Sequence, residues 1–242
     1  MKRIFTIAAL AAAMLAGTGI YAQFPSVYHA LLKSKEYYDS RQALSFDIHY
    51  RMFESHTSSR VLHEMQGRYT ADKNNLLIVT GGQTQLFNPR YAIVVDRSTE
   101  TLVVQERDPS ANRTPLGIDS LVGLFEEVKI QSETDEIITI AFTGPREAFY
   151  AVSSFTADID KKTGKVVKAI LYYAFNLGDF YQDYGSEMIP RIEITYDNYT
   201  AQTETGTGTF SENNFITERG GKLEPAGQFS SYQLIDLRRR SN

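Results

Sequence analysis

The chain has 242 residues, no cysteine and a formal charge of −4. Without cysteine it can hold no disulfide, no thiolate metal site and no lipid-modified cysteine anchor. Its acidic balance argues against non-specific binding to nucleic acid or to anionic membranes, and its basic cluster, Arg238, Arg239 and Arg240, reads as a solvated tail.

Met1, Lys2 and Arg3 precede an apolar run over 4–15 and a small residue at Ala22, the pattern of a secretory signal peptide. The run is too short to cross a bilayer core of about 30 Å. Residues 1–22 are therefore expected to be cleaved, and loss of Lys2 and Arg3 takes the charge of 23–242 from −4 to −6. An exported chain without disulfides must rest on its core. Residues 23–242 are long enough to build one large β domain, with an extension from about 220.

In 24–38, Val27, Ala30, Leu31, Ser34 and Tyr38 recur at helical spacing, and Ser26 can cap the helix. Residues 43–52 alternate strictly. Leu44, Phe46, Ile48, Tyr50 and Met52 fall on one side; Ser45, Asp47, His49 and Arg51 fall on the other, read as a solvated strand face. Strands follow over 61–70, 75–80, 83–87, 91–96 and 101–107, punctuated by Gly81-Gly82 and Asn88-Pro89, as in a meander. Thr114-Pro115 reads as cap and first residue of a second helix, whose stripe is Ile118, Leu121, Val122, Phe125 and Val128. Strands resume at 137–143, and 149–160 with 165–175 form the clearest hairpin, turning at Gly164. Residues 176–190 read as a surface insertion, 191–196 as an alternating strand and 232–237 as a last short one.

No grouping suited to chemistry emerges. His29, His49, His56 and His63 form no metal-binding pair. Ser45, Asp47 and His49 share a strand face, but residues two apart there stand about 7 Å apart, too far for the mutual contacts of a triad. Asp158, Asp160 and Gly164 only weakly echo a calcium loop. The chain is read as a non-enzyme without cofactor or metal.

Several stretches, in order, resemble the periplasmic lipoprotein carriers, the LolA-like family with its anchored LolB-like relatives. Residues 67–78 are similar to the family's glycine, strand and basic-residue segment. Thr114-Pro115-Leu116 with the following stripe resembles the helix that crosses the sheet, 155–166 the late hairpin, and 191–215 the closing strands. The resemblance implies a mainly β, α+β fold: an incomplete antiparallel β-barrel with helices covering an apolar cavity. It also implies a monomeric, soluble periplasmic carrier that takes the acyl chains of lipoproteins, or other lipid, from an inner-membrane transporter to an outer-membrane receptor. Lys73 stands where the family's lid-controlling arginine lies. Alternation and stripe together point Leu44, Phe46, Ile48, Tyr50, Ile93, Val95, Leu121 and Phe125 at one shared apolar space, without separating ligand contacts from plain core. The alternative is a non-catalytic envelope module whose cavity is filled by its own side chains.

Cleavage after Ala22 makes Gln23 the expected first residue of exported protein. N-terminal sequencing of periplasmic material checks this, and an intact Met1 would count against a soluble carrier.

Overall fold

The computed structural model describes residues 25–41, 43–107, 123–145, 152–176, 188–201 and 208–238. One helix, α1 (Pro25–Asp39), precedes fourteen strands among these residues. They are β1 (Ala43–Phe53), β2 (Val61–Asp72), β3 (Leu76–Thr80), β4 (Gln83–Phe87), β5 (Tyr91–Asp96), β6 (Thr101–Glu106) and β7 (Phe125–Glu133). Then come β8 (Ile137–Pro145), β9 (Val152–Asp160), β10 (Val166–Tyr173), β11 (Arg191–Thr200), β12 (Ile216–Arg219), β13 (Lys222–Pro225) and β14 (Gln233–Asp236). Twelve of them hydrogen-bond in the order β14-β6-β5-β4-β3-β2-β1-β11-β10-β9-β8-β7, and β12 pairs with β13 alone. The sheet is not closed into a barrel, so the expected incomplete barrel is what the chain builds. The chain divides into two compact units. The first holds Met1–Ser40, His49–Met65 and Asn112–Asp197; the second holds Arg41–Ile48, Gln66–Ala111 and Asn198–Asn242.

In the first unit, β7 to β11 form an antiparallel run. Because side chains alternate along a strand, the registers sort them into two faces. Phe142 faces Phe155, Ile140 faces Ala157 and Ile138 faces Ile159; Ala169 and Leu171 of β10, then Ile194 and Ile192 of β11, continue the row. The other face carries Thr139, Thr156, Asp158, Lys168, Glu193 and Thr195. Helix α1 buries Val27, Leu31, Ser34 and Tyr37, close to the expected stripe. Its first residue is Pro25, whose missing N–H costs nothing there, so Ser26 lies inside the first turn. The β9–β10 turn clamps the helix. Lys33 Nζ donates to the Lys161 carbonyl at 2.6 Å, and the Val166 N–H donates to the Tyr38 hydroxyl at 3.3 Å. At Gly164 (φ +81°) a Cβ would stand 2.5 Å from the Lys33 carbonyl oxygen. Glycine there satisfies both the left-handed turn and the close approach of helix backbone.

In the second unit, β3 to β6 pair antiparallel and β14 adds to β6 in parallel. The core is one cluster: Leu86, Ile93, Val95, Leu102 and Val104 from the strands, with Phe215, Ile216, Leu223 and Phe229 from the C-terminal segment. Phe215 and Phe229 stack at 5.5 Å.

The second helix read from the sequence does not extend over Phe125 and Val128. Both are buried in β7, with Phe125 opposite Pro145 and Val128 opposite Phe142. Their interval of three mimics a helical stripe, but pairing with β8 and the β-branched Val128 and Ile130 favour a strand. Ile118, Leu121 and Val122 lie outside the described residues, as does most of the 176–190 insertion.

Gly164→Ala should lower stability by roughly 2 kcal/mol or more, since it adds both αL strain and a clash with backbone. Gly82→Ala, where a Cβ meets nothing within 4 Å, should stay within about 0.5 kcal/mol of wild type. Thermal or urea melts of the pair check the difference.

Candidate functional site

The apolar face of the first unit is built on β7 to β11. Its centre is an aromatic ladder, Phe125 at 5.8 Å from Phe142 and Phe142 at 5.2 Å from Phe155. Around it Ile140, Ala157 and Ala169 are wholly buried. Burying such side chains contributes about 1.5–3 kcal/mol each, so this face cannot be left open to water.

The sequence-predicted residues go to three places. Leu44, Phe46 and Ile48 are buried on β1, where Phe46 stacks on Tyr69 at 4.5 Å and meets Tyr199 at 4.8 Å. Ile93 and Val95 lie in the second unit's cluster, packed with the C-terminal aromatics. Tyr50 and Phe125 belong to the first unit. Leu121 lies outside the described residues. Lys73 is exposed in the turn after β2, a turn held by the Asp72 carboxylate, which accepts from the N–H groups of Asn74 and Asn75 at 2.8 Å.

On the polar side of β1, expected to be solvated, Asp47, His49 and Arg51 stay partly exposed and Ser45 does not. Ser45 is 0% exposed and shares a hydrogen bond with the Thr70 hydroxyl at 3.3 Å. Asp47 takes Arg68 at 2.6 Å and the Asn198 amide at 2.8 Å. His49 Nε2 stands 3.5 Å from Asp197, and Arg51 3.3 Å from Glu193. Each side chain reaches a neighbouring strand, so cross-strand pairs add to what solvent provides. Ser45, Asp47 and His49 thus pair with four other residues, Thr70, Arg68, Asn198 and Asp197, not with one another as a triad would. Asp160 likewise caps its own turn, accepting from the Thr163 N–H and hydroxyl at 2.7 Å. Burial pushes its carboxyl up, but those bonds outweigh it and hold the group below its usual range. No cluster of metal-binding side chains occurs among the described residues, and no helix there is long and apolar enough to cross a membrane.

A residue that pattern reading passed over is Arg191. Its Nη1 donates to the carbonyls of Ser55, His56 and Ser58 at 2.8–3.0 Å, and its guanidinium lies 4.0 Å from the centre of the Phe53 ring. Glu193 steadies it at 3.0 Å and also takes Lys168 at 3.0 Å. Burial pushes the Glu193 carboxyl up, yet bonds from Lys168 and Arg191 hold it below its usual range. The loop after β1 is therefore pinned, not free. The sequence showed only an arginine at the start of a strand.

No protein-family model matches the chain, and no curated protein matches it in sequence. Among solved structures it is similar to an uncharacterized conserved protein from Thermus thermophilus, at 6% identity over 88% of this chain and 98% of that one, with a TM-score of 0.46. It is similar to the lipoprotein LppX of Mycobacterium tuberculosis, at 12% identity over 75% and 99%, TM-score 0.43. A LolA superfamily protein from Nitrosomonas europaea matches at 10% identity over 76% and 97%, TM-score 0.31. These likenesses are of chain path. What the chain itself builds is a largely antiparallel sheet, not closed into a barrel, with one helix among the described residues.

Three tyrosines sit against the apolar side of the first unit. Burial pushes the Tyr173 phenol up to about 12 and raises Tyr50. Tyr196, 7% exposed, is raised well above its usual value by burial and by Tyr50 and Tyr38 nearby. A raised phenol keeps its proton when the unfolded chain has lost it. Stability is then whole below pH about 10 and falls as pH rises through the folded values. The melting temperature should therefore drop between pH about 10 and 12, and Tyr173→Phe should flatten that drop. An unchanged slope in the variant would show that Tyr173 does not carry it.

Proposed function

We propose that the protein is an exported, non-catalytic carrier that holds acyl chains of lipoproteins, or of other lipids, against the apolar face of its first unit. The periplasm is its place of work, an inner-membrane donor and an outer-membrane receptor are its partners, and it acts as a monomer. The observation that carries this reading is the breadth of that face. Five strands at about 4.8 Å spacing are roughly 19 Å across, whereas a helix with its side chains is about 10–12 Å across. Helix α1 by itself is therefore narrower than the face, and an acyl chain is a chemically suitable partner for side chains of this kind. The resemblance of the sequence to the carriers supports the same reading. Each CH₂ taken from water is worth about 0.8 kcal/mol, so long chains bind tightly without any directional contact. Tyr50 and Phe125 are the expected site residues in this unit; Ile93 and Val95 are assigned to plain core.

A second reading, an envelope interaction module filled by its own side chains, is favoured by the second unit, whose strands are covered by Phe215, Ile216, Leu223 and Phe229.

Mass spectrometry of an organic extract from natively purified protein, with uptake of a fluorescent acyl probe by delipidated protein, separates the two. The carrier reading expects co-purified lipid and saturable uptake. A folded protein that yields no lipid and takes up no probe is the self-filled module.

A further inference from the structure

In the second unit, β14 adds little to the core. The cluster on β4 to β6 is covered by Phe215, Ile216, Leu223 and Phe229, all of which precede it in the chain. Leu234 of β14 packs against that cluster and is half-buried. Gln233 is exposed, Ile235 is 37% exposed, and Leu237 just beyond the strand is 56% exposed. β14 joins β6 in parallel, whereas β3 to β6 pair antiparallel, and parallel pairing is slightly the weaker per residue.

Backbone bonds and one arginine hold the strand in place. The Gln233 N–H donates to the Glu100 carbonyl at 2.9 Å, and the Leu237 N–H to the Val104 carbonyl at 2.8 Å. Arg238 Nη1 donates to Glu218 Oε1 and Nη2 to the Gly221 carbonyl, both at 3.2 Å, which ties the end of β14 to the β12–β13 hairpin. The other bonds of its guanidinium include two to Asp236, within β14 itself. Without β14, the run Leu102, Val103 and Val104 would be an open strand edge, whose unpaired backbone groups are a template for pairing. Glu218, which also takes Arg90 at 3.1 Å, and the Gly221 carbonyl would stand beside that edge as acceptors for a basic side chain.

We infer that β14 is an exchangeable strand: the outer edge of β6 is a docking site for an extended polypeptide segment, and β14, latched by Arg238, keeps it closed until a partner's segment takes its place. In strand addition, main-chain bonds supply the affinity and side chains at alternate positions supply the choice of partner. The strand already seated there shows the chemistry that fits. It runs parallel to β6, places an aliphatic residue at Leu234 against the cluster, and brings an arginine four places on to the Glu218 carboxylate. The partner is therefore a protein with an extended, aliphatic and basic segment. A lipid has no backbone with which to pair. The site lies in the second unit, and the inference does not rest on the carrier reading.

The test uses the exported chain, 23–242, and a fluorescent peptide of residues 232–238. In wild type β14 competes from within the chain at an effective concentration on the order of millimolar, so the peptide binds weakly. Arg238→Ala should bind it about tenfold more tightly, and a peptide carrying the same change should lose most of that gain. Because the chain has no cysteine, a disulfide made by Thr101→Cys with Gln233→Cys, at residues that are Cα partners across β6 and β14, shuts the edge without a competing thiol. The oxidised form should take up no peptide, and reduction should restore wild-type uptake. Equal uptake by the oxidised and reduced forms puts the peptide elsewhere and overturns the inference. A folded Arg238→Ala that binds no more tightly than wild type also overturns it. If Arg238→Ala does not fold, the disulfide pair decides alone: uptake by the reduced form only upholds the inference, and uptake by neither form overturns it.

Discussion

An antiparallel sheet with one apolar face has to be covered, and the way each unit meets that demand governs everything else in the molecule. Strand pairing satisfies the backbone but leaves rows of Ile, Val and Phe on one side, each worth about 1.5–3 kcal/mol only once water is removed from it. In the second unit the chain supplies the cover from its own C-terminal segment. In the first, α1 lies against the sheet and is narrower than it.

The C-terminal cover is fastened by charge at its rim. Arg90 reaches Glu212 and Glu218 at 3.1 Å, and Arg238 reaches Glu218 at 3.2 Å and Asp236 at 2.8 Å. Asn88 adds a bond to Glu212 at 2.8 Å. Exposed pairs of this kind each contribute little. Their value is geometric: they set the path by which Phe215 and Phe229 arrive over β4 to β6. The residues after 220, read from the sequence as an extension, supply Leu223 and Phe229 to this core and β14 to the sheet.

The carrier role proposed above asks for a sheet whose polar side is fastened independently of its apolar side. The first unit has features suited to that. Its polar side is tied by cross-strand bonds such as Thr139 to Asp158 at 2.8 Å and Lys168 to Glu193 at 3.0 Å, which do not depend on what lies on the apolar side. The clamp of α1 on Gly164, Lys161 and Val166 holds the helix by one end of the sheet's hairpin.

The sequence by itself determined the strands, because alternation has a period that only a half-buried strand shares; 83–87 and 91–96 were legible to the residue, and Gly164 was legible as a turn. It also determined that Leu44, Phe46 and Ile48 face inward. It did not separate a helix from a strand at Phe125 and Val128, since an interval of three fits either until β8 is there to pair. Nor could it show which apolar space each inward residue shares. Ile93 and Val95 alternate like Leu44 and Phe46, yet they meet the C-terminal aromatics, a partner more than a hundred residues away that no local period encodes. The polar side of β1 and the hold of Arg191 on three carbonyls were likewise decided by tertiary structure alone. Hydrogen bonds across strands depend on what folding brings alongside, and spacing along the chain carries no record of it.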